Sequence, residues 1–226
     1  LVPELKKLGI RSVNLSLDTL DWARFIDITH RDELSKVLLT LEELLKYGFE
    51  VKINAVVMDG KNTADIIPLV QLTKDTPISV RFIEEMPFNG RPDEQINLHW
   101  DMPRILSTIQ DHYPLIHKLQ DPAYSTSFNY QIPGHRGTVG IIAAYTRSFC
   151  GTCNRLRITP QGILKTCLYD NGVLNIKDML RNGAADDEVV TQLLNSLNTR
   201  AKDGWEAEQK RLNTGLLHES MAAIGG

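Results

Sequence analysis

Long hydrophobic runs are missing from this chain of 226 residues, and no positively charged segment followed by an apolar stretch opens it. We therefore expect neither a membrane-spanning helix nor a secretory signal. The formal net charge is only −3, so the chain has no global attraction for nucleic acid or an anionic membrane, and any anion site must be local. These absences favour a cytoplasmic protein that binds neither nucleic acid nor membranes.

Cysteine is scarce as well, with three residues at Cys150, Cys153 and Cys167. An odd count without an export signal makes a disulfide framework a poor explanation and favours a reducing compartment. Thiolates in such a compartment select zinc or an iron–sulfur cluster. The three cysteines are therefore the first candidate metal ligands.

An initiator Met is also missing. The opening LVPELKKLGI has the pattern of the last turns of an amphipathic helix that ends at Gly9, and a strand-like run follows at once. We expect the sequence to be an N-terminally truncated piece of a longer protein.

Strand-like and helical patterns alternate from Ser12 to Glu85, which predicts an α/β fold with right-handed crossovers and a parallel sheet. Asn62 is placed to cap the second helix. The strand-like runs are SVNLSLD, FEVKINAVVM and ISVRFIEEM, and the helical runs lie at residues 31–47 and 62–73. We interpret this part as the later strands of a partial TIM-type barrel, where function belongs at the carboxyl ends of the strands.

The pattern changes after the polar loop PFNGRPDEQINLH. A helix at residues 101–112 is followed by short strands up to Thr166, with a hairpin turn at 160–163, and then by helical runs at 175–181 and 187–202. We therefore predict two domains: residues 1–98, the barrel portion, and residues 99–226, a smaller α+β cap that carries the cysteines.

The spacing of the cysteines predicts a metal site by itself. Two cysteines separated by two residues chelate from one tight turn, and the hairpin returns Cys167 to their side. Zinc would need a fourth ligand, for which His135 and His218 are the candidates, and neither has the tight spacing of structural zinc sites. A four-iron cluster on three cysteines would keep one iron open to substrate. The third interpretation is three unligated cysteines in a core.

Two arginines, Arg155 and Arg157, follow the second cysteine at alternating positions. If Arg155 and Arg157 lie on a strand, their side chains share one face and can bind a polyphosphate together. The alternative is a solvated strand face. Next to an open metal site, the arginines favour an anionic substrate.

The stretch FCGTCNRLRITPQGILKTCL and the terminal IGG resemble the C-terminal half of the MoaA-type GTP 3',8-cyclases, which are radical S-adenosylmethionine (SAM) enzymes that open molybdenum cofactor biosynthesis. The segments VNLSLDTL, VKINAVVM and VRFIEEMPF extend the resemblance along nearly the whole chain. The resemblance implies a lyase that converts GTP to (8S)-3',8-cyclo-7,8-dihydroguanosine 5'-triphosphate by means of a 5'-deoxyadenosyl radical. It also implies a partial barrel whose first strand is followed by the three-cysteine motif of a SAM-binding [4Fe–4S] cluster.

That motif is not in this sequence, so we expect the chain by itself to be catalytically incomplete. By resemblance, Cys150, Cys153 and Cys167 bind a second [4Fe–4S] cluster whose open iron takes guanine. The implied GTP-binding residues are Lys52, Arg81, Arg155, Leu156 and Arg157. The implied SAM-binding residues are Ser16 and Met86, and the implied catalytic residues are Arg155, Arg157, Gly225 and Gly226, the last two on a tail that Met221 and Ile224 anchor.

Some of these residues have a second interpretation from the residues alone. Lys52 lies in an otherwise apolar strand, where it could form an ion pair with Glu84 or Asp18. Ser16 by itself would be a small core residue, and Met86 by itself a core filler.

The resemblance implies GTP, SAM and an electron donor as partners, admits a homodimer, and implies that the product passes to the next pterin-forming enzyme. Three other classes stay open: another radical SAM enzyme with an auxiliary cluster, a zinc-stabilised binding module, and an electron-transfer iron–sulfur domain. The terminal IGG and the paired arginines argue against the first of these.

Overall fold

The computed structural model of the chain describes residues 1–86, 99–148 and 150–213. Its contacts divide these residues into two units. The first contains residues 1–85 and 99–146, and the second contains 86, 147–148 and 150–213. The contacts divide the chain after Thr146. The division predicted after residue 98 is a functional one, between the barrel portion and the cap that carries the cysteines, and it stays a prediction.

A six-stranded, mostly parallel sheet organises the described part of the first unit, in the order β1-β2-β3-β6-β5-β4. Strands β1, β2, β3 and β6 run parallel, whereas β5 and β4 are antiparallel to their neighbours. The strands are β1 (Ser12–Ser16), β2 (Glu50–Val57), β3 (Ser79–Glu84), β4 (His117–Lys118), β5 (Phe128–Gln131) and β6 (Thr138–Ile142). The helices are α1 (Val2–Lys7), α2 (Trp22–Thr29), α3 (Leu34–Lys46), α4 (Ile66–Asp75) and α5 (Met102–His112).

Alternation along the strands gives this sheet one apolar and one polar face. Along β2, residues Val51, Ile53, Ala55 and Val57 are buried, while the residues between them are partly exposed. Successive side chains on a strand point to opposite faces, so Lys52 lies on the face opposite the aliphatic core. That polar face is where the site residues of this unit lie.

Asn62 does not cap a helix through its side chain, which corrects the sequence-based expectation. Its amide donates instead to the backbone oxygens of Asp18 and Val56, at 2.9 and 2.7 Å, and its Oδ1 accepts from the N–H of Met58. Tertiary contacts with the carboxyl ends of β1 and β2 therefore take the groups that a cap would have used.

The sequence patterns missed one helix of this unit and the pairing of one strand. Helix α2 is capped by Asp21, whose carboxylate accepts from the N–H of Arg24 at 2.8 Å. Strand β6 was predicted only as one of several short strands, yet it pairs parallel with β3 and extends the main sheet. A short apolar run does not reveal its pairing partner, because that partner is chosen by tertiary packing.

A small antiparallel sheet, β7-β8-β9, forms the strand part of the second unit in the described residues. The predicted hairpin is confirmed: Gly162 has a φ of +82° in the turn, and β7 pairs with β8. Helix α8 was not predicted. The elements are β7 (Arg157–Ile158), β8 (Ile163–Lys165), β9 (Leu174–Asn175), α6 (Ile176–Arg181), α7 (Asp186–Asn198) and α8 (Gly204–Leu212).

The fold class is therefore a mixed α/β chain with a mostly parallel six-stranded sheet and a small antiparallel one. None of the helices in residues 1–86, 99–148 and 150–213 is both long enough and apolar enough to cross a membrane.

Candidate site around the three cysteines

The two closely spaced cysteines lie on one tight turn. Cys150 begins a single 3₁₀ turn, Cys150–Thr152, and the N–H of Cys153 donates to the backbone oxygen of Cys150 at 3.2 Å. Cys167 follows β8 and lies near enough to Cys150 for the charge of one thiolate to raise the pKa of the other. All three thiols are free and partly buried.

Asp170 holds the backbone around Cys167, a role that the sequence patterns missed. Its Oδ2 accepts from the N–H of Cys167 at 2.8 Å and from the N–H and hydroxyl of Thr166, both at 2.9 Å. Its Oδ1 accepts from the N–H of Gly172 at 2.8 Å. The sequence Asp-Asn-Gly at this point was the available turn signal.

The electrostatic surroundings of the three thiols differ. Burial raises the pKa of Cys150 and of Cys167. Burial would do the same at Cys153, but the nearby backbone N–H of Arg155 and guanidinium of Arg200 bring the pKa of Cys153 below its ordinary value. Positive groups therefore favour the thiolate most at Cys153.

The two predicted arginines lie beside these thiols, although not for the predicted reason. Arg155 precedes the strand and is exposed, as is Leu156, whereas Arg157 begins β7 and is partly buried. Strand alternation therefore does not place Arg155. Burial first, and then the charge of Arg155, lower the pKa of Arg157, while Cys153 and Cys167 act in the opposite direction. The arginines and the thiols thus share one electrostatic environment.

A third cation, Lys165, was missed. It lies directly across the hairpin from Arg157 and is buried. Residues directly opposite each other in an antiparallel pair lie on the same face, and like charges in that position repel. The hairpin that follows the cysteines therefore concentrates positive charge.

In the first unit, Lys52 forms an ion pair with Glu50, at 2.9 Å, and lies 3.3 Å from the hydroxyl of Ser12. The alternative interpretation, an ion pair of Lys52 with Glu84 or Asp18, is wrong. Glu84 is completely buried and accepts hydrogen bonds from three backbone N–H groups and from the hydroxyl of Thr146. Asp18 accepts from the N–H of Val56 at 2.7 Å.

Arg81 belongs to a polar row that crosses the sheet at one level. The registers place Ser16, Asn54, Arg81, Gly140 and Asn129 side by side on β1, β2, β3, β6 and β5. Gly140 is needed here, since a Cβ at that position would lie 2.3 Å from the hydroxyl oxygen of Ser127 and 3.1 Å from Cγ of Arg81. The buried Oδ1 of Asn54, a residue not predicted, makes no hydrogen bond within the described residues.

The two predicted SAM residues fall in different units. Ser16 is exposed at the end of β1, and Met86 packs in the second unit against the cluster formed by Tyr169 and Ala207. Gly225 and Gly226, with Met221, Ile224 and His218, lie outside the described residues.

Cys150, Cys153 and Cys167 are free thiols, the type of donor that an iron–sulfur cluster takes. Within the described residues, no group of three or more His, Cys, Asp or Glu side chains is arranged to hold a metal ion. His135, a candidate zinc ligand, contacts Thr73 through Nδ1 at 2.8 Å in the first unit.

A family model described as Molybdenum Cofactor Synthesis C matches residues 78–206, more than half of the chain. The matched region contains the three cysteines, Arg155, Arg157 and Lys165. The chain belongs to the Molybdenum Cofactor Synthesis C family.

Curated relatives of this Molybdenum Cofactor Synthesis C chain have consistent names. "Molybdenum cofactor biosynthesis protein 1" of Bos taurus is 39% identical over 197 residues, which are 84% of this chain and 30% of the relative. "GTP 3',8-cyclase, mitochondrial" of Arabidopsis thaliana is 36% identical, over 89% of this chain and 51% of the relative. "GTP 3',8-cyclase" of Chlorobaculum tepidum is 32% identical, over 98% and 66%. The chain thus spans between about a third and two thirds of the length of these relatives.

Proposed function

We propose that this chain is the part of a GTP 3',8-cyclase that binds GTP next to a [4Fe–4S] cluster, in the first committed step of molybdenum cofactor biosynthesis. The observation that carries the proposal is the cation-rich hairpin beside three free thiols, in a region that matches the family model. The names of the relatives support GTP as the substrate.

Cys150, Cys153 and Cys167 would hold the cluster. When bound, the cluster supplies an iron with an open ligand position for the guanine of GTP. The chain itself contributes a loop of defined conformation. The turn at Cys150–Thr152 positions Cys150 and Cys153, and the carboxylate of Asp170 holds the backbone at Cys167.

Arg155 and Arg157, with Leu156 between them, would contact the nucleotide, and the arginines would take its triphosphate. The charge of Arg155 lowers the pKa of Arg157, which is the direction expected for two neighbouring cations that repel each other. A triphosphate offsets that repulsion and forms charge-assisted hydrogen bonds with the guanidinium groups.

Lys52 and Arg81 would bind GTP, and Ser16 and Met86 would bind SAM. Lys52 and Arg81 lie on the polar face of a sheet that we interpret as the later part of a TIM-type barrel. Lys52 would exchange its ion pair with Glu50 for phosphate. Gly225 and Gly226 would assist the radical step.

The whole enzyme would form its radical from SAM at a cluster whose cysteine motif is not in this sequence. We therefore propose that this chain binds GTP but does not cyclise it alone. SAM, an electron donor, a second copy of the chain and the enzyme that takes the product would be partners of the complete protein.

The metal content tests this proposal. Protein loaded anaerobically with iron and sulfide should contain about four irons and four sulfides per chain, and the matched Cys153→Ser variant should contain fewer. One zinc and no sulfide would instead favour a zinc-stabilised binding module and overturn the proposal.

Nucleotide binding tests the role of the arginines. Replacing both, Arg155→Ala with Arg157→Ala, should weaken GTP binding by about 2–4 kcal/mol in calorimetry, because charge-assisted hydrogen bonds are lost. Arg181→Ala is the matched control, since Arg181 is an exposed arginine at the end of α6 in the same unit. An equal loss of affinity in both proteins would show that the triphosphate binds elsewhere.

A further inference from the structure

Helix α8 of the second unit lies against the first of the three cysteines. Its first residue, Gly204, is so close to Cys150 that a Cβ on Gly204 would lie 3.3 Å from the sulfur. The same Cβ would lie 2.9 Å from Cδ of Arg147 and 3.2 Å from the ring of Tyr169. Because these neighbours are packed closely, any larger residue at this position would push α8 away from the cysteine loop.

Arg147, just before the cysteine loop, holds α8 in this position. Its Nη1 donates to the backbone oxygen of Gly204 at 2.9 Å, and its Nη2 lies 2.6 Å from the carboxylate of Glu208. The guanidinium also lies over the rings of Tyr169 and Trp205, at 3.6 and 3.9 Å from their centroids, which is close enough for a cation–π attraction to each ring. Two residues of α8 and two aromatic side chains therefore contact one guanidinium.

Glu208 of α8 supplies the negative charge for this contact. Its carboxylate pairs with Arg147 and lies 3.5 Å from Nη2 of Arg211. The side chains of Arg147 and Arg211 are 2% and 4% exposed, and that of Glu208 is 15% exposed. Removing one partner of a buried ion pair is strongly destabilising, because the other charge stays buried without compensation. The position of α8 is therefore coupled to that of Arg147.

The backbone of Arg147 is also unusual. Its φ is +56°, which a residue with a side chain adopts only when surrounding contacts hold it there. The N–H of Cys150 donates to the backbone oxygen of Arg147 at 3.1 Å, so the strained residue and the cysteine share one turn. The contacts of Arg147 with α8 thus support the backbone that carries Cys150.

Cys153 is held by a different residue. Arg200, in the connection between α7 and α8, donates from Nη1 to the backbone oxygen of Cys153 at 2.7 Å. Arg200 precedes Asp203, the N-cap of α8, so this hydrogen bond belongs to the connection and not to the helix. Cys153 is therefore an internal reference for the effect of α8 on Cys150.

We propose that α8 is a strap that covers the thiol of Cys150, that Arg147 and Glu208 hold this strap closed, and that a thiol-directed electrophile reacts with Cys150 at full rate only when the strap opens. Arg147 is then a positioning residue, which acts on Cys150 through α8 and through the shared turn. The strap depends neither on GTP nor on a bound cofactor, so its test is independent of the proposed function.

The test is alkylation of the full reduced chain by iodoacetamide, followed at each cysteine by mass spectrometry. Glu208→Gln keeps the shape of the side chain and removes its charge. It should make alkylation of Cys150 at least about tenfold faster, because a hydrogen bond between charged groups no longer opposes local opening. Alkylation of Cys153 should keep its wild-type rate. The matched control is Lys210→Gln, which breaks an exposed ion pair with Glu206 on the same helix and should change the rate at Cys150 by less than about twofold.

Gly204→Ala is the second variant, and it changes no charge. Its Cβ should push α8 from the loop and again speed the alkylation of Cys150, so that a faster reaction reflects access to the thiol rather than a different charge beside it. A wild-type rate at Cys150 in either variant, with an unchanged circular dichroism spectrum, overturns the proposal. Equal acceleration at Cys150, Cys153 and Cys167 overturns it as well, since the whole unit would then open instead of the strap.

Discussion

The two units are stabilised by different kinds of contact. In the first, a continuous aliphatic and aromatic core surrounds the parallel sheet, and Val80, Phe82 and Ile141 are completely inaccessible to solvent. In the described part of the second, the buried cluster consists of Tyr169 and Ala207 with a few partly buried neighbours. Arg147, Lys165 and Arg211 are buried there as well.

The comparison indicates that the first unit is stabilised by its own apolar burial, whereas the second depends on polar contacts around the cysteine loop. A small apolar core contributes little free energy, and a bound metal centre contributes folding free energy directly. We therefore expect cofactor binding to change the stability of the second unit much more than that of the first.

The largest effect should come from the core of the first unit. Phe82→Ala should lower the free energy of unfolding by about 3–5 kcal/mol, because it leaves a cavity in place of a completely buried aromatic side chain. Denaturant unfolding followed by circular dichroism measures this loss. The control is Leu194→Ala on α7, where the side chain is 55% exposed and the change should stay within about 0.5 kcal/mol. Equal losses in the two variants would contradict the comparison.

A smaller effect should appear when the cofactor is loaded. Amide hydrogen exchange at Cys153, Gly204 and Ala207 should slow at least a hundredfold, or about 2.7 kcal/mol, because opening of the loop then costs cluster binding. Exchange in β3 should change little and is the internal reference. The Cys153→Ser variant, treated in the same way, should show no slowing of exchange. If its exchange slows as well, iron or sulfide stabilises this unit without binding to the cysteine site.

The smallest effect is a pH dependence in the first unit. Burial first, and then Lys74, lower the pKa of His135 below its ordinary 6.5, while Asp75 acts in the opposite direction. The unfolded state then binds the proton more readily, so this contribution to stability is present above pH 6.5 and is lost as the pH falls through the folded pKa. The ring also contacts Thr73 and packs edge-on against Tyr113.

Denaturant unfolding at pH 7.5 and pH 5 measures this dependence. The wild type should lose more stability between the two values than His135→Gln does. His112→Gln, which changes an exposed histidine at the end of α5, should behave as the wild type. An identical pH profile for His135→Gln and the wild type would assign the loss to other groups.

The periodicity of apolar residues was sufficient to predict a helix or strand where that element buries one face. The strands β1, β2 and β3, the helices α3, α5 and α7, and the β7–β8 hairpin lie where the patterns predicted them, within a few residues at their ends. Patterns failed where a residue's partner is remote in the chain. The amide of Asn62 has a local use as a cap and a remote use at the strand ends, and only packing decides between them.

The same limit applies to the candidate site. Cysteine spacing and the neighbouring arginines are local and were visible in the sequence, whereas the roles of Lys165, Asp170, Arg200 and Arg147 depend on contacts made in the fold. Lys52 forms its ion pair with Glu50 because the two residues are neighbours on one face of the same strand. Glu84 does not pair with Lys52, because its carboxylate already accepts hydrogen bonds from backbone N–H groups.

The sequence by itself determined the alternation of strands and helices and the thiol and guanidinium chemistry of the loop after Arg147, because these depend on residue type and short spacing. The tertiary structure decided which strand joined the parallel sheet and which cations surround each sulfur. Both outcomes depend on residues far apart in the chain, whose approach is set by burial and by the need to satisfy buried polar groups.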